Sequence, residues 1–178
     1  MKTEIKIPSS FIQAPFYKEG ATLTILEKPE GDHIPPFYFD IIYALEGGGQ
    51  EQKWPWETEE GVAELFRQWE ELRALPERFF NERAPKEARP YMVRLTEYFI
   101  CYLYWSEGKP VHFPNSISQS VSSCRIAPVN VAERLAFVCE SPSHYHAFIQ
   151  LASLFEEARK KQALFKIKQR KNRQDAKH

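Results

Sequence analysis

From residue 58 onward, apolar side chains recur every three or four positions, the period of a helix half-sunk in a core. Val62, Leu65, Phe66, Trp69 and Leu72 share one face, and Pro76 ends that run. Thr58 stands at the N-cap position, with Glu59 and Glu60 beside the positive end of the helix dipole. "PERFFNER" (76–83) adds a short helical piece. Between Pro90 and Ser106, one side carries Met92, Leu95, Phe99, Tyr102 and Leu103, and the C-terminal half is apolar on the opposite side as well. Such a helix belongs in the middle, buried on several faces. Gly108 and Pro110 close it. "PNSISQSVSSC" (114–124) is weakly patterned, a short helix or a loop. Asn130, with Glu133 three residues on, reads as a capping box opening a helix through Leu135 and Val138. Ser141 reads as the cap of a last helix with Pro142 at its first position. In that helix His144, Phe148, Leu151, Phe155 and Ala158 form an apolar stripe. Glu156/Lys160 and Glu157/Lys161 are spaced four apart in the stabilising order.

Residues 1–57 read differently. They hold six of the thirteen prolines and five of the seven glycines. "IPSSFIQAPFY" predicts an extended, surface-hugging arm anchored by Phe11, Phe16 and Tyr17, and "PPFYFDIIYALEGGG" a short helix starting near Pro36 and stopping at Gly47. Strand alternation is not evident anywhere. The expected fold class is all-α: an irregular multi-helix bundle with an extended, turn-rich N-terminal segment and a projecting basic C-terminal tail. The expected division is a single helical domain over 1–165, with 1–57 as arm and short helix and 58–165 as helical core. A basic tail follows over 166–178, frayed or disordered.

Composition narrows the class. Hydrophobic residues at 43% and aromatics at 14% exclude a disordered chain. The longest apolar-aromatic run, "YFICYLYW" (98–105), is far short of the roughly 20 residues a membrane span needs. "MKTEIKIPSSF" lacks the apolar stretch of a signal peptide, and Cys101, Cys124 and Cys139 show no CxxC pair. The expectation is a cytoplasmic protein with reduced, mostly buried thiols. The formal net charge of +0 hides an asymmetry: residues 159–178 carry nine Lys/Arg against one acid, Asp175. The remainder therefore carries a net −8 against the +8 of the C-terminal twenty residues.

Candidate chemistry is thin. In "HYH", His144 and His146 are two apart, so on a helix they point to nearly opposite sides and cannot share a metal. His144 is expected to be a partly buried core residue near the helix start, and His146 to face outward. Cys124, Cys139, His112 and His144 lack metal-ligand spacing, "GGG" (47–49) lacks the Lys-Ser/Thr ending of a phosphate loop, and "SISQSVSSC" has no nucleophile elbow. Neither metal nor cofactor is expected, and no acid–base pair can be picked out of the many carboxylates. Trp54 and Trp56 in "WPW" are expected to pack over the core, or else, with His146, to meet a partner. The strongest candidate is the basic segment: Lys160, Lys161, Lys166, Lys168, Arg170, Lys171 and Arg173 surround the helix, with no face left for the core beyond Phe165. Its natural partners are nucleic acid or an acidic protein surface. The leading expectation is therefore a non-enzymatic accessory or interaction protein. The alternative is a small hydrolase-like enzyme with a pocket near His144 or His146.

"PVNVAERLAFVCESPSHYHAFIQLASLFEEARKK" (128–161) and "RPYMVRLTEYFICYLYW" (89–105) resemble the YpoC-like proteins of low-GC Gram-positive bacteria. The resemblance covers most of residues 35–170 and is most specific in "ERL…SPSHYHAFIQL". It implies a functionally uncharacterised family with no catalytic residues to carry over. The family's genes tend to lie beside those for a replication-initiation protein and an endonuclease III-type enzyme, which by association implies a DNA-linked role. The likeness also implies that "SPSHYH" is a family feature.

Overall fold

The structure, a computed structural model, describes residues 3–29, 31, 34–49 and 53–177. The N-terminal arm is built on a small ribbon: β1 (Glu4–Lys6) pairs antiparallel with β2 (Thr22–Thr24), with Ile5 opposite Leu23. Three residues a strand are too few to show as alternation in a sequence, which is why the ribbon went unpredicted. The arm is fastened by aromatic edges. Phe11 meets Phe37 and Phe113 at ring distances of 5.9 and 5.4 Å, and Phe16 meets Phe37 at 4.7 Å.

The short helix α1 (Tyr38–Glu46) ends at Gly47, whose φ of 69° is open to glycine at no steric cost. Its start is not at Pro36. Pro35 and Pro36 form a turn, with the Tyr38 N–H donating to the Pro35 carbonyl at 3.2 Å, and Phe37 caps the helix at a φ of 56°. A buried, bulky residue in the left-handed region stores strain.

Trp54 and Trp56 flank Pro55 in a 3₁₀ turn and stack at 5.3 Å with an interplanar angle of 3°. Tyr43 of α1 sets its ring edge-on to both. Only 7% and 5% of these indoles are exposed, so the pair is packed inside and presents no surface to a partner. Thr58 then caps α2 (Glu59–Leu72), its Oγ1 accepting from the Gly61 N–H at 3.1 Å. A Cβ on Gly61 would lie 2.0 Å from the Pro55 carbonyl oxygen. Gly61→Ala is therefore expected to push the tryptophan turn off the helix and destabilise the fold by about 1–3 kcal/mol. Urea unfolding followed by tryptophan fluorescence measures it.

Helix α2 stops at Leu72 because Pro76 cannot continue it: the ring would strike the Leu72 carbonyl. The chain turns at Arg73 into α3 (Ala74–Asn81). The central helix α4 (Pro85–Trp105) starts earlier than predicted, with Pro85 at its first position and Pro90 inside. Pro90 removes one backbone bond near the helix start, and the buried C-terminal half sustains the rest. Every residue from Leu95 to Trp105 is buried, as α4 packs on α2, α3, α6 and α7.

α5 (Ile117–Ser120) runs into a 3₁₀ turn at Val121–Ser123. Next, α6 (Val131–Glu140) has Asn130 at its N-cap position, but at a φ of 56° the side chain makes no capping bond, so the expected box does not form. Ser141 ends α6, its N–H donating to the Phe137 carbonyl, and caps nothing. The last helix, α7 (Tyr145–Asp175), begins after an extended His144. Arg134 of α6 clamps α7 with two bonds to Glu157, at 2.9 and 3.0 Å, and a third to Gln150. Glu157 is thus taken by Arg134 and not by Lys161. On the buried face of α7, Phe155 stacks on Trp69 at 4.1 Å and lies against Tyr102 at 4.9 Å.

Candidate functional site

Helix α7 carries the basic segment. It continues without a break to Asp175, so the residues after Phe165 are helical where fraying or disorder was predicted. The root is anchored: Gln162 is buried, Phe165 sits 3.5 Å beneath the Arg125 guanidinium, and Lys161 donates to the Ala127 carbonyl at 2.6 Å. Lys160 lies 3.7 Å from Glu156. Residues 166–177 are all exposed, and the helical part of this stretch stands clear of the body for about 15 Å at 1.5 Å per residue.

Among the described residues, Lys166, Lys168, Arg170, Lys171 and Arg173 make no ion pair or side-chain hydrogen bond. At about 100° per residue they fall on two flanks, Lys168 and Lys171 on one and Lys166, Arg170 and Arg173 on the other. Repulsion between like charges three and four apart weakens a bare helix, and the negative C-terminal pole of the dipole offsets part of it. The arrangement is two rows of unspent positive charge on a slender rod.

The histidines lie elsewhere. His144 is exposed rather than part-buried, because the stripe begins at Phe148, and it makes no side-chain cap. Among the described residues neither it nor His146 hydrogen-bonds through its ring. His146 is exposed beside Tyr145, as predicted. His144 does line a small cavity of about 310 Å³ with Cys139, Ser141, Ser143 and Arg89. A thiol nucleophile needs a depressed pKa, and here burial, followed by Glu140, pushes Cys139 up to about 12. The Cys139 thiol in this cavity is therefore not activated as a nucleophile.

A larger cavity, about 1030 Å³, opens between α1, α2, α4 and the segment after β2. Two buried carboxylates line it. Glu97 accepts from the Phe37 N–H at 3.0 Å and from Arg94 at 2.7 Å, while Arg94 also donates to the Ile34 carbonyl at 2.7 Å. Burial nevertheless outweighs the guanidinium and holds Glu97 above the usual carboxylate range. Asp40 Oδ1 accepts from Trp105 Nε1 at 3.0 Å and from the Val111 N–H at 2.6 Å, and among the described residues Oδ2 has no hydrogen-bond partner. Burial pushes Asp40 up to about 7 against the pull of those two donors, with Glu97 adding to the rise. Neither acid was singled out from the sequence. The clue was there: Asp40 interrupts "FYFDIIYAL" and Glu97 interrupts "LTEYFICYLYW", lone acids inside apolar runs.

The model of the YpoC-like protein family matches residues 59–170, from the first residue of α2 to Arg170 on the projecting part of α7. The chain belongs to the YpoC-like family. It is 31% identical over 126 residues to the uncharacterized protein YpoC of Bacillus subtilis (strain 168), covering 70% of this chain and 74% of that relative. No solved structure matches. The family match takes in α4 with Arg94 and Glu97, the "SPSHYH" connection and the root of the basic rod. It leaves out the arm, Asp40 and the tryptophan turn. No helix among the described residues is long and apolar enough to cross a membrane.

Proposed function

We propose that this YpoC-like protein is a cytoplasmic accessory protein that contacts nucleic acid through the exposed end of α7, carried by a body spanning residues 1–165. One observation carries the reading: five basic side chains on a clear-standing helix, on two flanks, with no acid among the described residues paired to them. The two rows suit a helix lying between the phosphate chains of a duplex, whose major groove admits an α-helix. Lys166, Lys168, Arg170, Lys171 and Arg173 supply phosphate contacts that position the protein without reading sequence. Lys160 adds charge at the root, and Lys161 stays on the Ala127 carbonyl. The cytoplasmic placement is supported by three free cysteines. Truncation after Phe165 spares the buried part of α7, so it is expected to leave the melting temperature nearly unchanged. It should weaken binding to a labelled DNA duplex at low salt by at least about a hundredfold. Equal binding by the truncated chain would end this reading.

An acidic protein surface is the second reading, favoured by the net −8 of the body itself, which a neighbouring copy would present to the rod. Salt-sensitive self-association without duplex binding would favour it.

A further inference from the structure

We propose that the cavity between α1, α2 and α4 binds a small organic cation with an apolar body, its charged nitrogen taken by the Asp40 carboxylate. The volume, about 1030 Å³, accommodates a small molecule of ordinary size. Asp40 is 1% exposed, yet its Oδ2 has no partner among the described residues. Buried polar atoms are almost always hydrogen-bonded, and one that is not, beside a cavity, marks a place for a donor from outside.

The sign of the ligand's charge follows from the walls. Among the described residues that line the cavity, six carboxylates, Asp40 and Glu97 among them, stand against three bases, Lys28, Lys53 and Arg94. Among the bases, Arg94 is already committed to Glu97 and the Ile34 carbonyl. The net excess of carboxylates favours a cation over an anion. A metal ion is a poor fit: no three His, Cys, Asp or Glu side chains among the described residues converge as ligands. Aliphatic side chains such as Ile42 and Leu65 line the rest together with aromatic Tyr38, Trp54 and Trp105, surfaces that bury an apolar skeleton and, where aromatic, attract a cation.

The local backbone is held for such a role. Phe37, strained at a φ of 56°, is fixed by its N–H bond to Glu97, which places α1 and therefore Asp40. Oδ1 is pinned by Trp105 and Val111, leaving Oδ2, buried at the cavity wall, as the oxygen without a partner among the described residues, so a ligand reaches it by displacing the side chains that cover it. Strain retained beside a cavity is a mark of a functional site.

Isothermal titration of the full chain at about pH 8.5, where Asp40 is ionised and the amine still charged, with three isosteric probes tests this: phenethylamine, phenethyl alcohol and phenylacetate. The amine is expected to bind at least tenfold tighter than the alcohol, and phenylacetate weakest. Asp40→Asn keeps an oxygen for Trp105 and Val111 and should abolish the amine's preference, with the circular dichroism spectrum unchanged. If that variant fails to fold, the wild-type comparison decides alone. Equal binding of amine, alcohol and acid, no binding of any probe at millimolar concentration, or a preference surviving in folded Asp40→Asn would each overturn the proposal.

Discussion

Phe155→Ala is expected to destabilise the protein by about 3–5 kcal/mol, the range for deleting a fully buried aromatic ring. Phe155 is 1% exposed and sits where three helices meet: stacked on Trp69 of α2, against Tyr102 and Phe99 of α4, and borne by α7. Removing it opens a void that these rigid neighbours cannot collapse to fill, and the stacking on Trp69 is lost with it. Urea unfolding should show a lower midpoint with an unchanged slope. A midpoint shift worth less than about 1 kcal/mol would mean the three helices do not share this contact as described.

Asp40→Asn is expected to change the pH dependence of stability more than stability itself. Asp40 lies at about 7 when folded, against an ordinary 3.8. Between those values the folded protein holds a proton that the unfolded chain has released. Stability therefore falls as pH rises through that window, and levels off above it. At roughly 1.4 kcal/mol per pH unit, the loss is on the order of 4 kcal/mol. Glu97, also raised by burial, acts in the same direction. Glu64, Glu156 and Glu157, lowered chiefly by hydrogen bonds from Arg67, Arg159 and Arg134, act oppositely, and only as pH falls through the acid range. They are shared by both proteins and cancel in the comparison. Denaturation midpoints at pH 4.5, 6 and 7.5 should show Asp40→Asn gaining on the wild type as pH rises. Parallel curves would mean that Asp40 is not held protonated in the fold.

Most of the helical framework was legible in the sequence, because a 3.6-residue period sustained over a buried face leaves few alternatives. Thr58, Gly47 and the stretch from Leu95 to Trp105 behave as their residue types dictate. Errors fell at junctions. At the α6–α7 connection His144 takes the N-cap position expected of Ser141, and Ser141 ends α6 instead, since "SPSH" holds two good capping residues and a proline and local chemistry cannot rank them. Asn130 was chosen for its side chain, while the backbone uses it for its tolerance of positive φ. The basic rod was visible as charge, but its helical continuation was not, because like charges alone argue against it. The buried carboxylates were hidden for a different reason. A sequence shows an acid amid apolar residues, but not which of its oxygens goes unpartnered once Trp105 and Val111, some seventy positions away, have come to the other one.

A salt titration of duplex binding bears most directly on the basic rod. The full chain is titrated onto a fluorescently labelled DNA duplex, with anisotropy read across a series of salt concentrations. Five phosphate contacts should give a slope of log K against log salt of about −4 to −5, at roughly −0.9 per contact. Replacing Lys166, Lys168, Arg170, Lys171 and Arg173 with glutamine should flatten it. Binding with a slope near zero, or an unaltered slope in the glutamine variant, would contradict a nucleic-acid role for α7.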